Sequence, residues 1–378
     1  MQNYEFMQSM FKVELEEIKR WSENWGLTDM GFAREKTTYC YFAISAATSL
    51  SHDSYVRMFV AKSATIITVV DDFFDKEGTL GELEGLTAAV RRWDSKGLKG
   101  HSKVLFDVLD ALVSEAATKY LQQEGIDIKE SLKDLWHETF VSWLVEAKWA
   151  RNGHTPSIDD YIKIGMISIA VHTIVLPGSC FLKPGLSNHK LRPAQYETIT
   201  KLLMVTCRLL NDLQSYQKEK EEGKMNSVLL NLVENPESNM EDSISLVGEI
   251  IDKKKKELLE HALIDGHCDL PKAIKHFHLS CLKVFQMFFN SSNRYDSDTE
   301  LLQDINKAIY LPVRRNSKHV TVESFQSGPK KKKAAPLSNF NWHFKHTSKR
   351  SFTANQVSLP ALKHGIVALA QKLVLGIN

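Results

Sequence analysis

The stretch TIITVVDDFFD, residues 65–75, joins an apolar run to three carboxylates just before Gly78. Asp71 and Asp75 lie four residues apart, about one helical turn, so a helix would place both side chains on one face. The C-terminal turn of a helix carries a partial negative charge, which opposes further carboxylates unless cations offset them. Oxygen ligands with no His or Cys nearby favour Mg²⁺ or Mn²⁺ over zinc. The stretch therefore predicts a metal-binding helix end, with a solvated acidic helix end as the alternative.

A second polar row follows another apolar run, at NDLQSYQKE, residues 211–219. Asn211, Ser215 and Glu219 recur every four residues and therefore share one face of a helix. Their amide, hydroxyl and carboxylate oxygens can hold one more Mg²⁺ if water and phosphate oxygens complete its shell. Taken alone, such a row is also typical of a solvated helix face. Together, the two motifs predict a metal cluster and a polyanion held between them at the mouth of a helical bundle.

Basic side chains flank both motifs. Arg208 precedes Asn211 by three residues and shares nearly the same face, Lys224 follows the second motif, and Arg34 lies upstream of Asp71. The planar guanidinium of arginine can bind phosphate oxygens with two hydrogen bonds. We therefore expect these cations to hold a phosphate group, although ordinary surface solvation is the alternative for each one considered alone.

Helical periodicity extends over most of the chain. Apolar spacing marks helices at residues 11–21 and 202–213, and no alternating run bounded by Asn-Gly or Asp-Gly turns is present. Breaks rich in Gly, Pro and polar residues are predicted at 96–100, 152–156, 183–193, 235–239 and 266–271. This pattern divides the chain into about ten helices with short connections, so the predicted fold class is all-α, a helical bundle.

The composition excludes several classes of protein. Hydrophobic residues make up 43% of the 378 positions and charged residues 25%, which is ordinary for a globular protein and unlike a disordered or polytopic membrane chain. The five cysteines form no CxxC pair, so neither a disulfide scaffold nor a zinc knuckle is expected. Twelve Lys and Arg residues against the single acid Glu323 fall within 314–378, which leaves the rest of the chain acidic. A nucleic-acid partner is therefore not expected.

One uncharged segment, residues 164–182, approaches the length of a membrane span. It contains His172 and a Pro177-Gly178 break, and a helix that is apolar all round is also typical of the centre of a large bundle. We therefore expect a buried helix and no stable membrane insertion. The first twenty residues are rich in Glu and have no apolar core after a basic start, so no signal or transit peptide is expected, and a complete chain would be cytosolic.

Taken together, DDFFD and NDLQSYQKE resemble the paired metal motifs of class I terpene synthases. GFAREKTTYCYFA at 31–43, VAKSATIITVVDDFFD at 60–75 and TCRLLNDLQSYQKEKEEGKMNSV at 206–228 are similar to plant kaurene synthases and kaurene-synthase-like diterpene synthases. The resemblance implies a class I terpenoid synthase bundle with a central apolar cavity, formed by a catalytic domain at 1–313. Residues 314–378 have no family counterpart and are expected to be a basic, disordered extension.

The resemblance also implies roles for individual residues. Asp71 and Asp75 would bridge two Mg²⁺ ions with Asp72 in support, and Mn²⁺ could substitute. A third Mg²⁺ would be held by the second motif, at Asn211, Ser215 and Glu219. The diphosphate would be held by Arg208, Arg34 and Lys224. The residues expected to act in catalysis are Asp71, Asp75 and Arg208. Aromatic side chains that could face a carbocation are Tyr39, Phe42, Phe73, Trp143, Trp149 and Tyr216.

The predicted substrate follows from a missing motif. The family's proton-initiated cyclisation uses Asp-x-Asp-Asp, which this chain lacks, so the resemblance implies that a class II diterpene cyclase supplies a bicyclic labdadienyl diphosphate, copalyl diphosphate. In HTIVLPGSCF at 172–181, proline would free the carbonyl of Thr173, and in the family this stretch tunes the product. With Thr173, Ile174 and Gly178, it looks like enzymes that make abietane-type olefins such as miltiradiene.

Three alternatives stay open at this point. One is an ent-kaurene-type synthase that uses ent-copalyl diphosphate, and another is a truncated, inactive paralogue that only binds diphosphates. A prenyl-chain elongation enzyme would need two DDxxD-type motifs, and the second motif here carries Asn, Ser and Glu instead. The family resemblance also implies a plastid location.

Overall fold

The computed structural model describes residues 2–312, apart from 49, 183–193, 265, 267–269 and 298. Of residues 2, 3, 194–197 and 300, only the backbone is described. Thirteen α-helices form this part of the chain, which contains no strand. The expectation of an all-α bundle is confirmed. The predicted extension at 314–378 and the predicted break at 183–193 lie outside the described residues.

The first seven helices are α1 Gln2–Asn24, α2 Thr37–Ala47, α3 Ser54–Asp72, α4 Leu80–Arg92, α5 Gly100–Glu124, α6 Lys129–Asn152 and α7 Ile158–Ser168. The remaining six are α8 His172–Phe181, α9 Ala194–Glu221, α10 Ser227–Glu234, α11 Met240–Leu263, α12 Lys272–Phe289 and α13 Glu300–Tyr310. Helix ends fall at the predicted breaks around 96–100, 152–156, 235–239 and 266–271. The glycine, proline and polar residues of those segments were therefore reliable signals.

Two helices in the middle of the bundle carry the motifs. The α3 helix packs against α1, α2, α5 and α8, whereas α9 packs against α7, α11 and α12. Along α3, Ile66 and Val70 are fully buried and Val69 nearly so. Burial of aliphatic side chains of this size contributes roughly 1.5–3 kcal/mol each, which fixes how α3 is rotated in the bundle. The acidic end of α3 is thereby held against the centre of the molecule.

The end of α3 widens into a π-helical turn, Phe73–Glu77, before the chain leaves the helix at Gly78. Phe73 and Phe74 are buried there, and the Gly78 N–H donates to the Phe73 carbonyl (2.8 Å). A Cβ at Gly78 would lie 2.6 Å from Leu83 and 2.9 Å from the Phe73 ring, so any larger residue would have to displace these buried side chains. The predicted helix end near Gly78 is confirmed.

The uncharged segment 164–182 is not the single helix that we expected. The α7 helix ends at Ser168, α8 begins at His172, and between them Ala170 adopts a left-handed φ of 57°. The turn is stabilised because Trp143 Nε1 donates to the Ser168 carbonyl (2.8 Å) and Thr173 Oγ1 donates to the Ala170 carbonyl (2.6 Å). Pro177 lies inside α8 and does not break it. Among the described residues no single helix is long and apolar enough to span a membrane; α7 and α8 have that length and composition only as a bent pair.

Candidate active site

A cavity of about 370 Å³ opens between α3, α7, α9 and α12. This is within the size range of small-molecule sites in proteins. Its rim is formed by charged side chains at the ends of α3 and α9, and its depth by apolar side chains such as Ile67, Ile174 and Phe288. The arrangement combines a polar mouth with an apolar interior.

Most of the predicted site residues line this one cavity. They are Arg34, Asp71, Asp72, Asp75, Ile174, Arg208, Asn211, Ser215, Glu219 and Lys224. Lys224, which follows the second motif, reaches the first one: its Nζ lies 2.9 Å from Asp75 Oδ2 although the residues are 149 positions apart. The geometry thus brings together what the sequence placed far apart, while the roles of these residues stay predictions.

Three predicted substrate contacts do not line the cavity. Thr173 is fully buried, and its hydroxyl is used in the turn that joins α7 to α8. Gly178 is a packing position, because a Cβ there would lie 2.9 Å from the Phe277 ring and 3.2 Å from Val60. Tyr216 is half-buried outside the cavity, where Gln217 donates to its hydroxyl (3.2 Å). The orientation of α8 about its axis explains why Thr173 and Gly178 do not reach the cavity, since it is Ile174 that faces the cavity instead.

Arg34 connects the carboxylates at the end of α3. Its backbone N–H and Nε both donate to Asp72 Oδ2 (2.8 and 2.9 Å), and its Nη2 lies 3.1 Å from Asp71 Oδ2. Lys76 Nζ donates to the other Asp72 oxygen (2.7 Å). Burial alone would raise the pKa of Asp72, but Arg34 and Lys76 hold that pKa below its usual value. Asp72 is thus an ionised anchor for Arg34.

Asp71 and Asp72 both line the cavity, but Asp71 is the more accessible of the two. Its side chain is 37% exposed, whereas that of Asp72 is 1% exposed. Removal of water by the surrounding chain and the nearby charge of Asp75 nevertheless raise the pKa of Asp71 to about 7, against the opposing effect of Arg34. A carboxylate in this position binds a proton easily, and it would bind a metal ion for the same reason.

The second motif is organised around Asp212 and Asn226. Asn226 Nδ2 donates to Glu219 Oε2 (2.7 Å) and to the Asp212 carbonyl (3.1 Å). Burial and the charge of Asp212 raise the pKa of Glu219 to about 7, despite Arg208. Ser215 Oγ is buried and makes no hydrogen bond of normal geometry with the described residues, although it lies close enough to Glu219 to help lower the pKa of that carboxyl. A buried hydroxyl without a partner is unfavourable unless a ligand uses it.

Arg208 is fixed from three sides. Its Nε lies 2.9 Å from Asp212 Oδ1, its Nη1 lies 3.4 Å from Glu146 Oε1, and its guanidinium carbon lies 4.9 Å from the centre of the Tyr161 ring. The Tyr161 hydroxyl in turn donates to Asp212 (2.9 Å). The Arg208 guanidinium is thereby oriented before an anion binds, which lowers the conformational entropy lost on binding.

Sequence reasoning missed the residues that support these groups. They are Glu146, Tyr161, Asp212, Asn226 and Asp296. Asp212 lies inside the second motif and is fully buried, so the motif itself carried a signal for it. Asp296 pairs with Arg34 (2.6 Å) and Lys218 (3.2 Å) from a loop that no local spacing connects to them.

The aromatic lining also differs from the prediction. Of the predicted aromatic residues, Trp149 lines the cavity, whereas Tyr39, Phe42, Phe73 and Trp143 are buried elsewhere in the core. The aromatic side chains that line it, among the described residues, are Trp149, Tyr161, Phe285, Phe288, Phe289 and Tyr295. The spacing of the three phenylalanines at the end of α12 was a signal that could have found them.

Residues 23–257 match the family model for the terpene synthase family, metal binding domain. The chain belongs to the terpene synthase family. It is 53% identical over 313 residues to (E,E)-geranyllinalool synthase of Arabidopsis thaliana and 52% identical over 312 residues to S-linalool synthase of Clarkia breweri. Each match covers 82% of this chain and 36% of the relative, so the chain spans about a third of the length of these relatives.

More distant terpene synthases match as well. Ent-kaurene synthase of Marrubium vulgare is 33% identical over 315 residues, which is 82% of this chain and 41% of that protein. Isoprene synthase of grey poplar, solved with three Mg²⁺ ions and dimethylallyl-S-thiolodiphosphate, is 26% identical with a TM-score of 0.74, and the match covers 81% of this chain and 59% of that one. The expected membership of the class I terpene synthases is confirmed. The ent-kaurene synthase is less similar in sequence to this chain than the geranyllinalool and linalool synthases are.

The residues of this terpene synthase domain fit divalent metal ions that a substrate helps to hold. Within the described part of the chain, no three His, Cys, Asp or Glu side chains could hold an ion by themselves. The second motif supplies amide and hydroxyl oxygens instead, including the buried Ser215 Oγ. Mg²⁺ prefers few protein carboxylates together with water and phosphate oxygens, so this donor set suits it.

Proposed function

We propose that this chain is the catalytic part of a terpene synthase that ionises a linear allylic diphosphate and lets water capture the cation. Linalool and geranyllinalool are both acyclic tertiary allylic alcohols, and the enzymes named for them are 52–53% identical to this chain. The ent-kaurene synthase is 33% identical over the same region. That difference carries the proposal, because the chemistry of the end product is set by the cavity that this region forms.

The charged rim would bind the diphosphate. Arg208 is already oriented, and Arg34 and Lys224 lie close enough to the carboxylates to move onto an anion that arrives between them. Asp71, Asp75, Asn211, Ser215 and Glu219 are the residues that would hold Mg²⁺. When bound, Mg²⁺ would neutralise the diphosphate and make it a better leaving group. Arg208 adds to this effect, since a fixed donor stabilises charge as it develops on the leaving oxygens.

The interior of the cavity would protect the cation. Ile67, Ile174 and Val284 exclude water from most of the wall, and aromatic faces such as Phe288 stabilise positive charge. A desolvated cation over an aromatic face gains about 2 kcal/mol or more. An allylic cation in such a cavity persists long enough for a positioned nucleophile to decide the product.

A second candidate function is turnover of a bicyclic diphosphate. The segment HTIVLPGSCF and the 33% identity to ent-kaurene synthase support copalyl diphosphate as substrate, with an abietane-type or kaurane-type olefin as product. This function would need a class II cyclase that supplies the substrate. Location in the plastid stays a prediction from the family resemblance.

Product analysis tests both functions. The purified chain is incubated with Mg²⁺ and, separately, with geranyl diphosphate, geranylgeranyl diphosphate and both enantiomers of copalyl diphosphate, and the extracts are analysed by gas chromatography with mass spectrometry. We expect a tertiary alcohol from a linear substrate. An olefin from copalyl diphosphate alone would support the second candidate and contradict the first. Absence of any Mg²⁺-dependent product would favour the inactive paralogue.

A further inference from the structure

Two hydroxyl groups lie side by side in the cavity wall below the charged rim. Thr68 Oγ1 and the Tyr295 hydroxyl are 2.6 Å apart, and both residues line the cavity. Thr68 precedes Asp71 on α3 by three residues, which separates their Cα atoms by roughly 4.5 Å along the helix axis. Tyr295 comes from the connection between α12 and α13, and it packs edge-on against Phe288 with ring centres 5.3 Å apart.

The protons of this pair can be assigned. Thr68 Oγ1 donates its one proton to the Ala64 carbonyl (2.9 Å), so the Tyr295 hydroxyl donates to Thr68. Cys40 Sγ lies 3.4 Å from the same hydroxyl and can then only donate to it. A phenolic oxygen has a second lone pair, and these contacts leave it available. Tyr295 therefore presents a hydrogen-bond acceptor at the cavity wall.

The surroundings of the pair are apolar. Ala43, Ala64 and Ile67 are its neighbours along α2 and α3 in the cavity wall. Charged side chains that line the cavity, such as Asp71 and Glu219, belong to the rim. The Ser168 hydroxyl also lines it, but it already accepts from Arg208 Nη1 (3.3 Å) and donates to Glu146 (2.9 Å). A water molecule that enters below the rim would therefore find its hydrogen-bond acceptor at this pair, since the aliphatic wall offers none.

We propose that the Thr68–Tyr295 pair holds the water molecule that captures the allylic cation. The inference rests on the proposed function, because it concerns an alcohol product. Heterolysis of the C–O bond gives free diphosphate and a cation shared between the first and third carbons of the chain. The water oxygen forms a bond to the third carbon, and the resulting oxonium ion loses one proton to the diphosphate.

The position of the pair agrees with this chemistry. The third carbon is two bonds from the carbon that carried the diphosphate, so the attacking water must lie just below the rim. That is where one helical turn separates Thr68 from Asp71. A water that donates a hydrogen bond to Tyr295 directs a lone pair away from the wall and into the cavity. Burial holds the pKa of Tyr295 well above its usual value, so the phenol orients the water and does not take its proton.

The inference is tested with Tyr295→Phe and Thr68→Val, each of which removes one hydroxyl and keeps the shape of the side chain. In both variants we expect the ratio of alcohol to olefin to fall by roughly 5-fold or more, and the enantiomeric excess of the alcohol to fall with it. Diphosphate release should change by less than about 3-fold, because the ionising residues are untouched. Thr68→Ser keeps the hydroxyl and should restore the product ratio.

Tyr39→Phe is the matched control. Tyr39 belongs to the same aromatic cluster, with its ring 6.2 Å from that of Tyr295, but its hydroxyl donates to the Ser297 carbonyl (2.7 Å) and the residue does not line the cavity. This variant should keep both the alcohol fraction and its enantiomeric excess. If Tyr39→Phe lowered them as much as Tyr295→Phe, the effect would be one of packing and the inference would be wrong.

The outcomes separate this inference from the proposed function. If the unmodified chain makes the alcohol and both variants make it in the same ratio and with the same enantiomeric excess, the inference fails and the proposed function stands. If the unmodified chain makes no alcohol from any linear diphosphate, both fail together. Turnover in water enriched in ¹⁸O confirms the premise, since oxygen from water must appear in the alcohol.

Discussion

At the scale of single residues, the site is balanced by charge. Arg34 distributes its guanidinium over Asp71, Asp72 and Asp296, and Lys224 contacts Asp75. Three carboxylates at one helix end would otherwise repel one another and the helix dipole. The same cations are expected to bind the diphosphate. When substrate and metal ions bind together, these cations would therefore move from the carboxylates to the diphosphate, and the metal ions would take their place on the carboxylates.

We expect Asp71→Asn to lower kcat by roughly 100-fold or more at saturating substrate, as removal of one preorganised charged contact does in other active sites. The change keeps the size of the side chain and removes the charge that faces the cavity. Product formation is measured over a range of Mg²⁺ concentrations, and half-maximal activity should move to higher Mg²⁺.

Asp107→Asn is the control for this prediction. Asp107 is a half-exposed acid on α5 that pairs only with Lys103 among the contacts described (2.5 Å), and surface pairs of this kind contribute about 1 kcal/mol or less. Activity should be unchanged. Activity of Asp71→Asn equal to that of the unmodified chain would contradict the assignment of Asp71 as a metal ligand.

Local spacing identified the residues of the two motifs because a helix converts a separation of four into a shared face. It could not identify Asp296 or Tyr295. Arg34 and Asp296 are 262 residues apart and meet only because α12 returns the chain to the mouth of the cavity. Contacts of this kind are set by the packing of helices, and the spacing of residues in a single sequence does not predict them.

At the scale of secondary-structure elements, two glycines on neighbouring helices have different neighbours. Gly165 on α7 faces Arg208, whose Nε would lie 3.1 Å from a Cβ, whereas Gly178 on α8 faces the Phe277 ring. From the sequence alone, Gly178 is predicted to contact the substrate. The contacts instead connect Gly165 with the diphosphate-binding rim and Gly178 with the core.

Alanine should therefore impair catalysis at position 165 and stability at position 178. Gly165→Ala pushes against Arg208, so kcat/KM should fall by roughly 10-fold, since small misplacements of a binding group are costly. Gly178→Ala overpacks the core and should lower the free energy of unfolding by about 1–3 kcal/mol. Steady-state kinetics and denaturant unfolding are measured on both variants.

Each glycine variant is the control for the other. Gly165→Ala should retain its free energy of unfolding, because alanine favours a helix over glycine by roughly 0.5–1 kcal/mol. Gly178→Ala should retain its product profile. A changed product from Gly178→Ala with an unchanged free energy of unfolding would indicate that Gly178 contacts the substrate, as predicted from the sequence.

The elements themselves were largely predictable, with one informative exception. Breaks at 96–100, 152–156, 235–239 and 266–271 are marked by glycine, proline and polar residues that disfavour helix. The break at Ala170 has no such mark, since alanine is the strongest helix former. It is imposed by tertiary contacts, among them the Trp143 indole that caps the Ser168 carbonyl.

At the scale of the whole molecule, one buried histidine connects α9 with α12. His278 is fully buried, its Nδ1 donates to the Ile274 carbonyl (2.9 Å), and its Nε2 accepts from the Thr200 hydroxyl (3.1 Å). Both ring nitrogens are used by the neutral form. Burial therefore lowers the pKa of His278 to about 4, whereas an exposed histidine titrates near pH 6.5.

This difference predicts how global stability depends on pH. Above pH ~6.5 the histidine is neutral in both the folded and the unfolded chain, and its full contribution is present. As the pH falls from ~6.5 to ~4, the unfolded chain binds a proton that the folded chain does not. The contribution of His278 should then decrease by about 3 kcal/mol. Denaturant unfolding of the metal-free chain is measured at several pH values across this range.

Comparison with His278→Gln isolates the effect. Asp71 and Glu219, whose pKa values are raised to about 7, titrate in the same range with the opposite sign, because the folded chain binds their protons first. They contribute equally in both proteins, so the difference in free energy between the two removes them. That difference should be constant above pH ~6.5 and should shrink toward pH ~4, since only the unmodified chain loses the histidine contribution. A difference that did not change with pH would show that His278 binds its proton in the folded chain over the same pH range as in the unfolded chain. The hydrogen bonds to Ile274 and Thr200 would then need reassignment.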